Sequence, residues 1–599
     1  MKQPIMKTIK QYWTNIKVWR DRCSQWMAVG NRANWCVFSA FALLIFAQTL
    51  IFDHFAFREF AVYTSVQNGS AMIFSKLAAA LLFASLTFIL KDKRWLLLLS
   101  VIIDAWMVAN LIYMRNNHIL LDAEAFNMSG NLHGYFWSVL IYVELQIDLI
   151  FFIMTGLFGC IFFFTIRSAR SWKAWLIVIA VSIGLRHGAE GLFVNAQHKQ
   201  HIKSEYKFMP FMRDFREPVY GIQFPLAVAN TSVLYSPFYI LTDYYLMINN
   251  IQPERPMNVQ DSLVMSKLIP DMPADTLESP LIIVLLESLE NWVVTPQIMP
   301  NLYRLTQNDH VFYANRIHTQ IVGAPSADGQ MIVNTGLLPI NAGATCLHYP
   351  TNTFPGIMRL APDSTLCLLP HDPKVWNQTQ MSPAYGYDTT ISYCDIDTIL
   401  FQKLDSLVDD GYRYIQCITL STHAPFWNEK YSYLELPSSM PWVMYNFIRG
   451  FNSLDDGLGY FIRKIECDSN LQNYTIVFTG DHRILHYEKR QQMKEYAEKW
   501  ASDPSGYDWL GKLTPEDDCL PLIIYSPKIS GNPRYTEDAY QMDIYPTYQS
   551  LLGSGNFYWK GFGINLMDPN KQNRLLKQEN ALLLSDKVIR NNYFKSVIP

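Results

Sequence analysis

The sequence predicts an α-helical transmembrane bundle of five spans, followed by an α/β domain with a mostly parallel central sheet. Three observations predict it. Half of the 599 residues are hydrophobic, and the apolarity is concentrated in the first third of the chain. Basic connections alternate with less basic ones between the apolar stretches. Beyond residue 279, short apolar, β-branched runs alternate with helical patterns, and each run ends in polar residues.

The apolar stretches run roughly over Trp35–Phe55, Ala71–Leu90, Trp95–Tyr113, Tyr142–Ile166 and Trp172–Leu185. Each approaches the ~20 residues needed to cross a bilayer. The last is short, with Arg186 and His187 close behind. The first apolar run starts late and more spans follow, which argues against a cleavable signal peptide. Orientation follows from the basic residues. Lys7, Lys10, Lys17, Arg20, Arg22 and Arg32 precede the first span. Lys91-Asp92-Lys93-Arg94 follows the second, and Arg167, Arg170 and Lys173 follow the fourth. The intervening connections offer Arg58 beside Glu59, and Arg115 before Asp122 and Glu124. This pattern predicts a multi-pass membrane protein. Its N-terminus is cytoplasmic, and with an odd number of spans everything beyond about residue 190 is extracytoplasmic (periplasmic). Lys76, Asp104, Glu144 and Asp148 lie at or near membrane depth, where ionisable groups are costly. They either touch a lipid headgroup or face a neighbouring helix.

The domain plan is a transmembrane domain over 1–194, a juxtamembrane connector and linker over 195–278, an α/β domain over 279–570 and a tail over 571–599. The connector mixes His198, Lys199, His201, Lys203 and Arg213 with Tyr206, Phe208, Phe211 and Phe215. That texture suits helices on an anionic membrane surface, and Pro253–Pro280 reads as a Pro-rich boundary linker. A net charge of −3 gives no basic field to attract nucleic acid. The nine cysteines show no zinc-ribbon spacing. Disulfides remain open, and their pairing is not readable from sequence.

In the outer domain, Pro280–Leu286, Tyr414–Leu420, Tyr474–Thr479 and Leu522–Tyr525 read as buried strands, and Met444–Lys464 as a helix. Chemistry in such folds gathers at the carboxyl ends of the strands. Glu287 stands at one such end, Ser421–Phe426 at another and Gly480-Asp481-His482 at a third. Each has a plainer reading: Glu287 and Asp481 as helix caps, His423 as a turn residue, Ser326 as an N-cap. Ser326 can equally present its hydroxyl to a phosphate at a helix N-terminus.

Taken together, five segments carry a resemblance. They are Leu286-Glu287-Ser288, Gly323–Gln330, Ser421–Phe426, Gly480-Asp481-His482 and Gln541–Thr547. In this order, behind five spans, the chain resembles the lipoteichoic-acid-synthase-like branch of the alkaline-phosphatase/sulfatase superfamily, membrane phosphoglycerol and phosphoethanolamine transferases. The resemblance covers the spans and residues 280–567. It implies that Glu287, Asp481 and His482 hold one divalent cation (Mn²⁺, Mg²⁺ or Zn²⁺), with the Ser326 oxygen as a further ligand. It implies Ser326 as nucleophile, where the family usually has Thr, and His423 near the scissile phosphate. Trp376 and Asn377 fall where the branch contacts the headgroup. Two positions after the Trp the branch often has Arg, whereas this chain has Gln378. Asp455 reads as structural and Asp543 as the cap of its own helix. No Cys/Ser-x-Pro-x-Arg run surrounds Ser326, which argues against formylglycine sulfatase chemistry, and no second ligand set is evident.

The function so implied is transfer of a phospholipid-derived phosphoryl headgroup (phosphoglycerol or phosphoethanolamine) to an envelope lipid or glycan, through a covalent Ser326 intermediate. Its partners are a phospholipid donor, a lipid or glycan acceptor and the membrane. A hydrolase that releases the headgroup to water is the alternative among enzymes. A non-catalytic envelope scaffold predicts missing ligands, yet Glu287, Ser326, Asp481 and His482 are all in place.

Overall fold

The computed structural model describes residues 32–57, 69–117, 119–127, 139–160, 170–199, 228–229, 231–248, 256–270, 276–340, 343–353, 355–393, 397–424, 426, 431–553, 557–570 and 574–597. The basic residues before Arg32, the Arg58–Glu59 turn, Arg167, residues 201–216, Cys23 and Cys394 lie outside these. The chain divides into two compact units, the first drawn from residues up to Pro253 and the second mainly from Glu254 onward.

In the first unit, helices α1 (Arg32–Ala56), α2 (Gly69–Ala84), α3 (Arg94–Asn117), α4 (Leu145–Gly159), α5 (Trp172–Lys199) and α6 (Ser236–Ile248) follow in order. Among the described residues, four segments are long and apolar enough to cross a membrane: Arg32–Ala56, Gly69–Phe88, Arg94–Asn117 and Trp172–Leu192. The expected fourth span is α4, whose 15 described residues rise only about 22 Å, against a hydrocarbon core of ~30 Å. Residues 161–169, which the sequence assigns to that span, are outside the description. The fifth stretch departs the other way. Arg186 is a buried helical residue, and the helix runs through it to Lys199.

Val37, Phe41, Ile45 and Phe52 of α1 pack with Ala79, Ala80, Phe88, Phe151 and Phe158 in a common core. Small residues on α2 allow close helix approach, and the Ser182 hydroxyl donates to the Ala78 carbonyl at 2.7 Å. The ionisable residues face protein. Lys76 pairs with Asp53 at 2.7 Å and donates to the Ala229 carbonyl. Asp104 accepts from Gln48 at 2.8 Å, and Asp148 accepts from the Glu144 amide at the start of α4.

In the second unit, the stretch expected to be a linker contains helix α7 (Val259–Leu268). Its stop-and-start chemistry was in the sequence: Asn258 and Asp261 form a reciprocal capping box. The helix packs on this unit, with Asp261 paired to Lys587 and the Leu268 carbonyl bound by the Lys560 amide.

Among the described residues, one nine-stranded sheet organises the unit. Its strands are β1 (Leu281–Leu286), β2 (Val311–His318), β3 (Thr365–Leu369), β4 (Thr389–Ser392), β5 (Tyr414–Ile418), β6 (Thr475–Gly480), β7 (Leu520–Tyr525), β8 (Arg534–Tyr535) and β9 (Ala539–Tyr540). They lie in the order β4-β3-β5-β1-β6-β7-β2-β8, with β9 also on β2. The sheet is mixed: β4-β3-β5-β1-β6 form a parallel block, and β7 runs antiparallel to both β6 and β2. An apolar run announces a buried strand but carries no sign of its direction, so the expectation of a mostly parallel sheet missed β7.

Helices α8 (Pro325–Thr335), α9 (Trp442–Cys467), α10 (Tyr487–Glu498) and α11 (Gln578–Arg590) complete the parts that matter here. In α9, Phe447, Phe451, Leu454, Leu458 and Phe461 form a buried stripe at helical spacing. Asp455 of α9 accepts the Asn301 and Leu302 amides, capping the short helix Pro300–Leu305, which is the structural role expected of it. The supposed tail forms α11, docked by the Ser585 hydroxyl on the Leu338 carbonyl and followed by Phe594 against Trp559. Cys36, Cys160, Cys367, Cys417, Cys467 and Cys519 are free thiols.

Candidate active site

Strand register builds the site. β1 lies between β5 and β6, with Leu285 opposite Ile418 and Leu286 opposite Gly480. Parallel strands in register emit their next residues at the same edge, so Glu287 and Asp481 leave the sheet side by side. Thr419 accepts from the Glu287 amide at 2.9 Å, and Thr422 donates to its carbonyl. Ser288 then adopts φ 56°, an uncommon conformation for a residue with a Cβ. The turn lets its amide donate to Asp481 Oδ1 at 2.8 Å and its hydroxyl to Glu287 Oε1 at 2.7 Å.

Ser326 arrives on α8. Pro325 occupies the first helical position and Ala324 the N-cap, so Ser326 is not the cap. Instead, Asp328 Oδ2 accepts from the amides of Val322, Gly323 and Ala324 at 2.9, 2.9 and 3.1 Å, which fixes the loop before the helix. The Ser326 hydroxyl is left 3.2 Å from His482 Nε2 and 3.4 Å from Glu287 Oε2.

The ligand atoms of Glu287, Asp481 and His482 lie within 4.8 Å of one another, and all three residues are buried. His482 Nδ1 is 2.8 Å from the Arg483 carbonyl. In the neutral ring, donation there leaves Nε2 with its lone pair facing the carboxylates and Ser326, the form a cation would bind. Asp481 Oδ2 is buried and has no hydrogen-bond partner among the described residues. Burial pushes the Asp481 carboxyl up, and neighbouring Glu287 adds to the shift. Burial would lower the His482 pKa, but Asp481 and Glu287 outweigh it and raise it. Two carboxylates, one imidazole lone pair and one hydroxyl around an unmatched buried oxygen suit a divalent cation.

His423 lies close enough to help lower the Glu287 pKa; burial opposes the shift, and His482 contributes more to it. Trp376 and Asn377 take φ 50° and 52°, two left-handed residues in succession. Asn377 donates to the Cys346 carbonyl at 2.9 Å. Gln378 is buried, turned toward α8 and exchanges two amide hydrogen bonds with Gln330, at 2.6 and 3.2 Å. The residue standing in for the family's Arg thus ties the Trp376–Asn377 turn to the Ser326 helix.

One neighbour of the site escaped the sequence. His371, just past the end of β3, is near enough to feel the charge of Glu287, though burial lowers its own pKa. The strand-end rule could have found it. Gln541 donates to the Asp481 carbonyl at 2.6 Å and accepts from the Gln320 amide. Asp543 caps its turn through the Tyr540 amide, as expected, and also binds Arg574.

Family models match two segments: "Lipoteichoic acid synthase N-terminal domain" over residues 6–205 and "Sulfatase" over 281–554. The chain is 23% identical over 309 residues to lipoteichoic acid synthase 1 of Bacillus subtilis, covering 47% of each chain. It is 24% identical over 350 residues to the lipoteichoic acid synthase-like protein YvgJ of the same organism, covering 52% of this chain and 53% of that one. The chain thus spans about half the length of these curated relatives. Among solved structures, the lipoteichoic acid synthase LtaP from Listeria monocytogenes matches at 19% identity and TM-score 0.43, over 57% of this chain and 98% of that one. The phosphoethanolamine transferase EptA from Neisseria meningitidis matches at 11% identity and TM-score 0.41, over 86% and 96%.

The second unit is a sulfatase/alkaline-phosphatase-like α/β domain, preceded in the chain by apolar helices. The two matched segments follow one another along the chain, and its curated relatives are similar to it in the same sense, as a lipoteichoic acid synthase and a lipoteichoic acid synthase-like protein.

Proposed function

We propose that this protein transfers a phosphoryl headgroup from a membrane phospholipid to an envelope lipid or glycan through a covalent Ser326 intermediate. The convergence of the Ser326 hydroxyl on Glu287 and His482 carries this reading. A divalent cation held by Glu287, Asp481 and His482 would make the hydroxyl more acidic and offset charge on the phosphate. Ser326 would attack phosphorus, its hydroxyl proton passing to solvent, and an Oγ–P bond would form as the ester bond to the lipid alcohol breaks. His423 would deliver a proton to that departing alcohol. The acceptor hydroxyl would then displace Ser326, giving ping-pong kinetics. Trp376 and Asn377, held in their turn by Gln378, would contact the headgroup.

The apolar helices support placement in the bacterial inner membrane, and the charge pattern supports an extracytoplasmic catalytic domain if α4 also crosses. A catalytic domain tethered to the bilayer by its own chain finds lipid donors by two-dimensional search, which is the physical use of such an anchor.

The test is intact-protein mass spectrometry of the metal-loaded full chain, incubated with phosphatidylglycerol or phosphatidylethanolamine. A headgroup-sized adduct on Ser326, absent in Ser326→Ala and discharged by an acceptor, supports the reading and names the donor. An adduct discharged equally well without acceptor identifies a hydrolase. No adduct with either donor, in folded protein, overturns the covalent scheme.

A further inference from the structure

We propose that His318, Cys519 and Asp518 form a second metal site, separate from the Ser326 centre and selective for a thiophilic divalent ion of the zinc class. Their ligand atoms lie within 4.8 Å of one another. Antiparallel pairing of β2 with β7 makes the cluster: Ile317 is opposite Leu520, so the end of β2 meets the residues that lead into β7. Cys519 is buried, while His318 and Asp518 are partly exposed, leaving an approach for an ion.

The spacing fits a shared ligand sphere. Cys519 Sγ is 3.7 Å from His318 Nδ1. Zinc–sulfur and zinc–nitrogen bonds of ordinary length at a tetrahedral angle put those two atoms about 3.6 Å apart. The other ring nitrogen supplies an independent observation. His318 Nε2 lies 3.0 Å from Asp538 Oδ1, and donation to that carboxylate leaves the Nδ1 lone pair facing Cys519. A carboxylate behind a histidine is the usual way proteins orient a metal-binding imidazole. Arg483 likewise holds Asp518 from behind.

Charge points the same way. Asp517, Asp518, Asp538 and a Cys519 thiolate face two guanidinium groups, Arg316 and Arg483. The surplus of two negative charges matches one divalent cation. Burial holds the Cys519 thiol protonated, so capture of the ion releases that proton and forms the metal–sulfur bond. One sulfur, one nitrogen and one oxygen select zinc-like ions over Mg²⁺ or Mn²⁺, and three protein ligands leave a fourth position for water.

Cobalt titration of the purified full chain tests the site, because the Ser326 centre contains no sulfur. A thiolate-to-cobalt charge-transfer band is expected, displaced by Zn²⁺ and lost in Cys519→Ser and His318→Gln. Asp538→Asn keeps the ligands and is expected to weaken cobalt affinity about 10- to 100-fold. Absence of the band in folded wild type, meaning a thiol–imidazole hydrogen bond only, overturns the proposal. So does a band that survives unchanged in both ligand variants.

Discussion

Gly329 of α8 lies directly against Asp481: a Cβ at that glycine would fall 2.2 Å from the Asp481 carbonyl oxygen. The helix that carries Ser326 is therefore seated on the backbone of Asp481, a candidate ligand, with Gln541 bound to the same carbonyl. Gly329→Ala forces one of them to move. Overpacking of this kind costs about 1–3 kcal/mol. The expected result is a lower melting temperature and a larger loss of Ser326 adduct than stability alone accounts for, read at a temperature where the variant is fully folded.

Glu290 and Arg490 form a buried bidentate ion pair at 2.6 and 2.8 Å, and Arg490 also binds the Leu485 and Pro515 carbonyls. Removing one partner strands the other charge, so Arg490→Met or Glu290→Gln is expected to cost about 3–5 kcal/mol. The double replacement Glu290→Leu/Arg490→Met should lose less than the two single losses added together. Denaturant unfolding of all four proteins measures the difference.

Asp455 shows how burial writes itself into a pH profile. Burial raises its carboxyl from an ordinary 3.8 to about 6, against the pull of the Asn301 and Leu302 amides. The folded form then binds the proton more tightly than the unfolded form. This contribution is fully present below pH 3.8 and is lost as pH rises through about 6. Asp455→Asn removes that slope. The melting-temperature deficit of the variant should shrink between pH 4 and 6, which a pH series of thermal scans on both proteins detects.

Cation removal should act through the same crowding of Glu287 and Asp481. A ligand present at 100 times its Kd adds about 2.7 kcal/mol to the folded state. Chelation is therefore expected to lower the melting temperature of wild type, with recovery on adding back Mn²⁺ or Zn²⁺. Asp481→Asn should respond much less to either step. Equal chelator sensitivity in the two proteins would count against a cation at this centre.

The parts of the site that were legible in the sequence share one grammar. Glu287, Asp481 and His482 each follow an apolar run, and a polar residue after such a run stands at a sheet edge. Ser326 was legible through Pro325 and the small residues around it, although only the structure shows Ala324 as the N-cap. Residues that work through side-chain pairing were not legible. Gln330 and Gln378 are 48 positions apart, and nothing local marks two glutamines as partners. The direction of β7 and the docking of α11 depend on distant contacts in the same way. The span at α4 was read from hydropathy through residue 166, and residues 161–166 lie outside the described ones.

The placement of β1 has a further consequence, one of timing. Its neighbours β5 and β6 begin at Tyr414 and Thr475, far downstream of Leu281 in the chain. At synthesis rates of about 5–20 residues per second, roughly 10–40 s pass before β6 emerges to cover the second edge of β1. During that interval a wholly apolar strand awaits its partners, and Glu287 has no Asp481 beside it. A cation held by Glu287, Asp481 and His482 could therefore be captured only after β6 has joined β1.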